Sequence, residues 1–300
     1  MREGCSTGAV TAMHEQRGSS ASWAKGNSGM ITETREGAKE RERVFFNERY
    51  REHKGLPVDK YRSVTGSLVR RYEDLLFSLR PNSVALDYGC GPCADALKLA
   101  RAGVRVVAID IADAGMKLVR SLAAEGGSVE NLVFSVADCE KLCFADDSFD
   151  VVYGNAILHH LKVERALEEM ARVLRPAGKA FFIEPLGHNP LINLYRKATP
   201  QYRTADEHPL KRQDLSLIEE RFHRVDCRFF NLLSLAAVPL RKTRLFLPTL
   251  RTLEFVESKL FDWTPRLRLQ AWLVLIICEQ PRKQPRPQAV CLPSVRAGQQ

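Results

Sequence analysis

The 300-residue sequence has no long apolar run. Its longest uninterrupted one, residues 271–278, has eight residues, whereas a membrane-spanning helix needs about 20. The N-terminus also has no apolar core of the kind found in secretion signals. We therefore expect a cytoplasmic protein without a membrane span, in which the eight cysteines are reduced thiols.

Acidic residues are scarce near the C-terminus. The whole chain has a net charge of +9, and residues 241–300 contain eleven Lys/Arg but only four Asp/Glu. Such a segment suits an anionic membrane, nucleic acid or an acidic partner, and it equally suits a solvated basic surface with no dedicated partner.

Large apolar residues are also few at both ends, so residues 1–36 and 281–300 are expected to be disordered. Between them, short apolar strands alternate with helical patterns, which predicts a doubly wound α/β sheet covered by helices on both faces. The expected domain, residues 37–280, has three parts: a helical lid (37–80), a core (81–185), and a substrate-side region with an insertion and the last strands (186–280).

The stretch "LDYGCGPCADAL", residues 86–97, joins the first predicted strand to a helix. Its pair Cys90-x-x-Cys93 is typical of thiol–disulfide exchange or of zinc binding. Its glycines, Gly89 and Gly91, are typical of a turn that brings the backbone close to a nucleotide, and with Ala94 they fit G-x-G-x-x-G/A. The same twelve residues thus support two unrelated interpretations.

Two aspartates favour the nucleotide interpretation. Asp110 closes the second predicted strand, 23 residues after Asp87, where a carboxylate can accept both hydroxyls of a ribose. Asp87 lies at the mouth of the turn, where it would repel the diphosphate of NAD or FAD and would suit an ammonium group. S-adenosylmethionine carries an α-amino group, a ribose and an adenine but no phosphate, and therefore fits both side chains.

With these residues the stretch resembles motif I, D/E-x-G-x-G-x-G, of the class I S-adenosylmethionine-dependent methyltransferases. Similar motifs follow in order, "VVAID" ending at Asp110 and "SVADCEKLCFADDSFDVVYGNAILHHL" at 135–161. The resemblance covers most of residues 60–232. It implies a Rossmann-like seven-stranded sheet, mostly parallel with one antiparallel strand, and S-adenosyl-L-methionine as cofactor. The cofactor-binding residues it implies are Asp87, Gly89, Gly91, Asp110, Ile111, Asp138, Cys139 and Asn155.

Cys93 departs from the resemblance, because the family has a third glycine at this position. The added side chain is expected to lower cofactor affinity and activity. The cysteine alternatives are a thioredoxin-type site and a zinc site made from Cys90, Cys93, Cys139 and Cys143. Neither needs the two aspartates, so the sequence predicts no metal site.

Candidate acceptor-binding residues follow the fourth and fifth predicted strands, whose ends face the cofactor. Methyl transfer from a sulfonium is an in-line displacement that needs alignment in a dry site, with a base only if the acceptor must lose a proton. The polar segment 184–210 is expected to be an acceptor-recognition loop or a hydrogen-bonded Ω-type loop. The predicted catalytic residues are His159, Glu184 and His188, and the predicted substrate-binding residues are His160, Asn189, Tyr195, Arg203 and His208.

Residues 234–269 mix Leu, Phe and Trp with Arg and Lys. This composition suits peripheral contact with a membrane, a hydrophobic acceptor or a partner, and it equally suits a helical cap on the sheet edge. The expected function is methyl transfer to a small organic acceptor, with hydrophobic acceptors among the candidates. Open alternatives are a protein or nucleic-acid methyltransferase, a cofactor-binding member with weak or no catalysis, and an NAD(P)-dependent oxidoreductase. Against specific nucleic-acid methylation, "GNAILHH" stands where such enzymes have N/D-P-P-Y/F.

Overall fold

A computed structural model describes residues 35–52, 59–92, 94–117, 120 and 130–283. Chain contacts separate a first unit, Met1–Glu40, from a second, Arg41–Gln300. Every contact described below lies within the second unit. The ends predicted to be disordered fall almost entirely outside the described residues, although the first helix begins at Arg35 and the last strand reaches Pro281.

Helices and strands alternate along the core, as the apolar pattern predicts. In chain order the elements are α1 (Arg35–Arg51), α2 (Asp59–Arg62), α3 (Gly66–Phe77), β1 (Val84–Tyr88), α4 (Ala94–Arg101), β2 (Arg105–Asp110), β3 (Leu132–Val136), β4 (Phe149–Asn155), α5 (Val163–Val173), β5 (Leu174–Pro185), α6 (Pro190–Ala198), α7 (Arg212–Arg221), β6 (Phe222–Phe230), α8 (Phe246–Trp263) and β7 (Leu273–Pro281). Residues 113–117 are also helical, and Leu158–His160 form a short 3-10 helix.

The strands form one seven-stranded sheet in the order β3-β2-β1-β4-β5-β7-β6. Strand β7 is antiparallel to both of its neighbours, and the other pairings are parallel. The predicted doubly wound sheet with one antiparallel strand is therefore confirmed. Strand order reverses between β1 and β4, and ligands of such sheets bind at the carboxyl ends of the strands beside that point.

Alternate residues of the central strands feed separate cores on the two faces of the sheet. Leu86 and Ile109 belong to one core with α5 and α7, whereas Ala85 and Ala108 belong to the other with α3 and α4. A parallel strand buried on both faces reads as a continuous apolar run, which is why these strands are visible in the sequence.

The segment 184–210, predicted to be a loop, contains helix α6. Asn189 begins the helix, since its side-chain oxygen accepts hydrogen bonds from the backbone N–H groups of Leu191 and Ile192, and Pro190 occupies the first turn. Its side-chain amide donates to the carbonyl of Gln270 at 2.8 Å. The prediction of a loop is therefore wrong for residues 190–198, where Asn189 caps a helix, and acceptor recognition by the segment stays a prediction.

The segment 234–269 contains helix α8 between two 3-10 helices, Ser234–Leu240 and Pro265–Gln270, and it packs on the rest of the domain as expected of a helical cap. Leu250 packs with Val64, and Phe261 reaches the core of one sheet face. Its outer side carries exposed Leu247, Phe255 and Trp263, the last 83% exposed. No described helix combines the length and apolar character that a membrane span requires.

Candidate active site

The turn after β1 depends on two glycines with left-handed backbone conformations. Gly89 has a φ of 72° and Gly91 a φ of 48°. A Cβ at Gly89 would lie 2.4 Å from side-chain atoms of Ile157, and one at Gly91 would lie 2.7 Å from the hydroxyl of Tyr50. The turn therefore requires glycine for both its conformation and its close packing.

Asp110, at the end of β2, ties this turn to the next one. One carboxylate oxygen accepts the backbone N–H of Gly91 and the other accepts that of Ala112, both at 2.8 Å. Burial raises the pKa of Asp110, and the backbone hydrogen bonds oppose this shift. Each oxygen has two lone pairs, so the carboxylate can still accept ligand hydroxyls. Ile111 follows it and is half-buried.

Asp87 is buried beside the same turn, on β1. Burial, and then the charge of Asp95, raise its pKa well above the ordinary range. An ionised carboxylate in such a position is costly unless a cation neutralises it. The position therefore suits a positively charged ligand group.

The remaining predicted cofactor residues lie at neighbouring strand ends. Asp138 follows β3, and its side chain accepts the backbone N–H of Glu140 at 2.9 Å. Cys139 is buried, and its carbonyl accepts the hydroxyl of Tyr88. Asn155 is exposed at the end of β4. The structure thus brings these residues to the same edge of the sheet as Asp87 and Asp110.

One face of α1 packs against this edge. The side-chain oxygen of Asn47 accepts the backbone N–H of Ala114 at 2.9 Å. Tyr50 lies against Gly91, and burial raises its pKa. Phe46 stacks on Tyr50 with ring centroids 5.9 Å apart, and it meets His160 edge-on at 5.3 Å. Helix α1 therefore connects the glycine turn with the predicted acceptor side.

His159 and Glu184 form a buried pair. Nδ1 of His159 lies 2.8 Å from Oε2 of Glu184, and the other carboxylate oxygen accepts the backbone N–H groups of Ile157 and Leu158. Burial, and then the charge of His160, lower the pKa of His159, although Glu184 opposes the shift. Glu184 itself is fully buried. Glu184 therefore holds His159 in one orientation. The N–H groups of Ile157 and Leu158 hold Glu184 in place.

His160 has a carboxylate partner of its own. Its Nδ1 lies 3.1 Å from Oε1 of Glu42, a buried residue of α1 that also accepts the hydroxyl of Thr204. The pKa of His160 lies above its ordinary value. Burial lowers this pKa, but the hydrogen bond and the charge of Glu42 together raise it by more. Two adjacent histidines are thus each held at Nδ1 by a buried glutamate.

Only some of the predicted residues in the segment after β5 lie near the two histidines. The backbone N–H of His208 donates to the carbonyl of His159 at 2.8 Å, and Arg203 pairs with Glu207 at 3.0 Å. Tyr195 packs against Tyr61. The structure places the two remaining candidates elsewhere in this segment. His188 accepts the backbone N–H of Arg212, and Asn189 caps α6.

Sequence reasoning missed three residues of the site: Glu42, Asn47 and Glu207. Glu42, Phe46 and Tyr50 recur at four-residue spacing, which places them on one face of α1. The sequence did contain a signal for two of these residues: Glu42 and Asn47 are polar residues on the apolar face of an amphipathic helix. Glu207 was hidden among many polar residues of its segment.

Cys90 is disulfide-bonded, whereas Cys139, Cys143, Cys227 and Cys278 are free thiols. The expectation of reduced cysteines is therefore wrong for Cys90. A cysteine in a disulfide has no thiolate to offer a metal. The zinc alternative that included Cys90 is thus excluded for this state of the protein.

A glycine turn, a buried aspartate and a second aspartate that closes β2 lie together at the switch point of this sheet, as the resemblance to class I S-adenosylmethionine-dependent methyltransferases implies. Residues 86–182, about a third of the chain, match the family model described as Methyltransferase domain. The match supports a methyltransferase domain over this stretch.

Relatives of known activity match part of the chain. It is 29% identical to 2-heptyl-1-hydroxyquinolin-4(1H)-one methyltransferase of Mycobacteroides abscessus, over 47% of this chain and 59% of that protein. It is 34% identical to 27-O-demethylrifamycin SV methyltransferase of Amycolatopsis mediterranei, over 35% of this chain and 39% of that protein. The match thus spans less than two thirds of either relative.

A solved structure has a similar fold. Phosphoethanolamine N-methyltransferase 2 of Haemonchus contortus, in complex with S-adenosyl-L-methionine, superposes with a TM-score of 0.52 and 15% identity. The likeness covers 71% of this chain and 53% of that one. At this identity the comparison bears on the fold alone.

Proposed function

We propose that this chain transfers the methyl group of S-adenosylmethionine to a small organic acceptor. The observation that carries the proposal is Asp110, which joins the glycine turn to the end of β2 and keeps lone pairs for ribose hydroxyls. Asp87, buried beside the same turn with a raised pKa, suits the ammonium group of the methionine moiety. Asp138 is assigned to the adenine amino group.

When bound, S-adenosylmethionine would supply a methyl group on a sulfonium: an acceptor atom bonds to the methyl carbon as the carbon–sulfur bond breaks, and S-adenosylhomocysteine leaves. The residues of this chain orient the reactants and exclude water, which is the main source of acceleration in such a reaction. Phe46 and Tyr50 of α1 stack on each other, and Tyr50 lies against Gly91 of the glycine turn. We propose that they cover the bound cofactor as a lid.

We assign His159 as the base that removes a proton from the acceptor, if the acceptor atom carries one. Glu184 engages Nδ1 of His159 and leaves Nε2 to face the acceptor, so Glu184 is a positioning residue. His160, Arg203 and His208 are proposed to contact the acceptor from the same side.

A hydrophobic acceptor is favoured by an aromatic cluster where β5 ends and β7 begins. Tyr61 meets Tyr195 and Trp272 edge-on, with ring centroids 6.0 and 5.8 Å apart. Ligand pockets are commonly lined by such rings with a few polar groups. We further propose a cytoplasmic location and peripheral contact of α8 with anionic membranes, from which a hydrophobic acceptor would be available.

Calorimetric titration tests the cofactor. The wild-type protein is expected to bind S-adenosylmethionine and S-adenosylhomocysteine, and Asp110→Ala is expected to weaken both by at least about 100-fold, because two backbone N–H groups and the ribose lose their acceptor. Asp113→Ala, three residues later and paired with Lys117 on the surface, is the matched control and should bind normally. Binding of NADH alone would refute the proposal.

Turnover identifies the acceptor class. The protein is incubated with a radiolabelled methyl donor and cell extract, and label is measured in lipid, small-molecule, protein and nucleic-acid fractions. Label in the lipid or small-molecule fraction supports the proposal. Label confined to protein or nucleic acid would establish the corresponding alternative.

A second candidate function is cofactor binding with weak or no catalysis. The observation that favours it is a disulfide-bonded cysteine, Cys90, between the two glycines of the turn, followed by Cys93 where the family has a third glycine; Cys93 lies outside the described residues. Measuring turnover before and after reduction with dithiothreitol separates the two. Cofactor binding without methyl transfer in both states would favour this candidate.

A further inference from the structure

Three side chains on the acceptor side have the composition and spacing of a metal-binding set. His159, His160 and Glu207 each offer a nitrogen or carboxylate oxygen, and these atoms lie within 4.8 Å of one another. Ligands about 2.1 Å from a zinc ion are separated from each other by about 3 to 4 Å. Small side-chain rotations would therefore let all three reach one ion.

The histidines are oriented as metal-binding histidines usually are. A ligating histidine commonly donates its other ring N–H to a carboxylate, which fixes its tautomer and raises its basicity. Nδ1 of His159 faces Glu184 at 2.8 Å, and Nδ1 of His160 faces Glu42 at 3.1 Å. Both Nδ1 atoms are thereby engaged, so Nε2 is the atom left to ligate.

The charge around the cluster supports a cation. Three carboxylates, Glu42, Glu184 and Glu207, surround the two imidazoles, and Arg203 pairs with one oxygen of Glu207. Glu42 is 7% exposed, and its Oε2 is buried without a hydrogen-bond partner among the described residues. A buried carboxylate oxygen without a donor is expensive, and a nearby divalent charge would offset that cost.

We propose that His159, His160 and Glu207 hold one divalent transition-metal ion through two imidazole nitrogens and one carboxylate. Three protein ligands leave open coordination positions, as in metal sites that act on a bound molecule. Zn²⁺, Fe²⁺ and Co²⁺ accept this ligand set. The sequence predicted no metal site because Glu207 lies 47 residues beyond His160 and only the fold brings them together.

This part of the inference rests on the proposed function. With the ion bound, His159 is a ligand, and the ion takes over its part in removing the acceptor's proton. An acceptor oxygen bound at an open position has its pKa lowered by the ion, so its proton passes to solvent water before methyl transfer. His160 is linked to the glycine turn through Phe46 and Tyr50, which places the ion on the acceptor side of the cofactor.

Cobalt binding tests the inference directly. The full chain is stripped with a chelator, dialysed and titrated with Co²⁺, while visible absorbance and calorimetry are recorded. One equivalent should bind, with absorbance bands typical of a nitrogen- and oxygen-ligated site. Glu184→Gln, which alters only a carboxylate behind His159, should weaken binding about 10- to 100-fold. His160→Asn and Glu207→Gln should weaken it more, because each removes a ligand.

His223→Ala is the matched control, since it removes an exposed imidazole of β6 that is not part of this cluster. It should bind Co²⁺ as the wild type does. The inference is overturned if the wild type binds no better than Glu207→Gln, or if His223→Ala loses binding equally. Glu207→Gln keeps the size of the side chain at a partly exposed position, so it remains the test if the change at the fully buried Glu184 prevents folding.

Calorimetry with S-adenosylmethionine in the presence of chelator separates the two proposals. Cofactor binding without cobalt binding would refute the metal site and leave methyl transfer standing. Cobalt binding without cofactor binding would do the opposite.

Discussion

Asp87 shows how one residue couples stability to ligand binding. Its carboxylate is buried, and burial together with Asp95 raises its pKa well above the ordinary value. The pKa of an unfolded aspartate is about 3.9, so the folded state binds more protons than the unfolded state between these two values. Stability therefore falls as pH rises through this window. A cationic ligand beside Asp87 would stabilise the ionised carboxylate and so offset this loss of stability.

We predict that Asp87→Asn stabilises the unliganded protein at neutral pH and flattens this part of its pH profile. The same change should weaken S-adenosylmethionine about 10- to 100-fold, because a charge-assisted hydrogen bond to the ammonium is lost. Thermal unfolding across pH 4 to 8 and calorimetry measure the two effects. Asp95→Asn, which keeps the carboxylate of Asp87, is the control for affinity, and it should reduce the pH effect because the charge of Asp95 raises the pKa of Asp87. Unchanged affinity in Asp87→Asn would contradict the assignment.

The residues that sequence could identify are those whose local motif requires them. Gly89, Gly91 and Asp110 were found because a turn at the end of a strand needs fixed residue types at fixed spacing. Glu42 and Glu207 could not be found in this way. They reach His160 from segments far away in sequence, and only packing decides which of many polar side chains meet.

At the scale of elements, one glutamate of α8 organises the connection after β6. The carboxylate of Glu257 is buried and accepts four consecutive backbone N–H groups, those of residues 231–234, at 2.7 to 3.1 Å. These groups would otherwise be buried without acceptors. Glu257 therefore holds the 3-10 helix Ser234–Leu240 against α8.

Glu257→Ala is expected to lower the free energy of unfolding by about 3 kcal/mol, because several buried donors lose a charged acceptor. Glu254→Ala, on the same helix, removes one hydrogen bond from Ser67 and should cost about 1 kcal/mol. Urea unfolding compares them. Equal losses would show that the four N–H groups find other acceptors. Cofactor affinity should be unchanged in both, because neither residue contacts the glycine turn.

The elements differ in how far their sequence predicts them. Buried strands such as β1 and β2 have continuous apolar runs and were located within a residue or two. Helix α6 was missed because the many polar residues on either side of it suggested a loop, although its own sequence, PLINLYRKA, is mostly apolar. None of its residues is buried, and Leu191 and Leu194 are exposed. The Asn189 cap and the packing of Tyr195 against Tyr61 stabilise it.

At the scale of the whole molecule, two exposed basic residues lie beside exposed apolar residues on α8, which also carries three acidic residues, with Asp262 the exposed one. Phe255 and Trp263 are exposed, Lys259 lies over the ring of Phe255 at 5.8 Å, and Arg251 is exposed on the same helix. Aromatic residues flanked by basic ones are typical of surfaces that bind the interface of an anionic bilayer.

The protein is therefore expected to sediment with vesicles containing phosphatidylserine, more weakly at high salt, and not with pure phosphatidylcholine. Arg251→Glu with Lys259→Glu should reduce partitioning by at least about 30-fold, since each basic residue contributes about 1 kcal/mol near such a surface. Arg101→Glu with Arg165→Glu reverses two exposed charges elsewhere and is the control. Equal partitioning of both double variants would rule out α8 as the contact.

The family match and the acceptor side of the site do not coincide along the chain. The match covers residues 86–182, whereas Glu42 and Glu207, which face His160, lie on either side of it. In the proposed function, the cofactor residues all lie inside the matched stretch, whereas the acceptor side combines His159 and His160 of that stretch with residues of the flanking segments. Exchanging a flanking segment would therefore alter the acceptor side and leave the proposed cofactor residues in place. Grafting residues 184–210 from a relative would test this modularity.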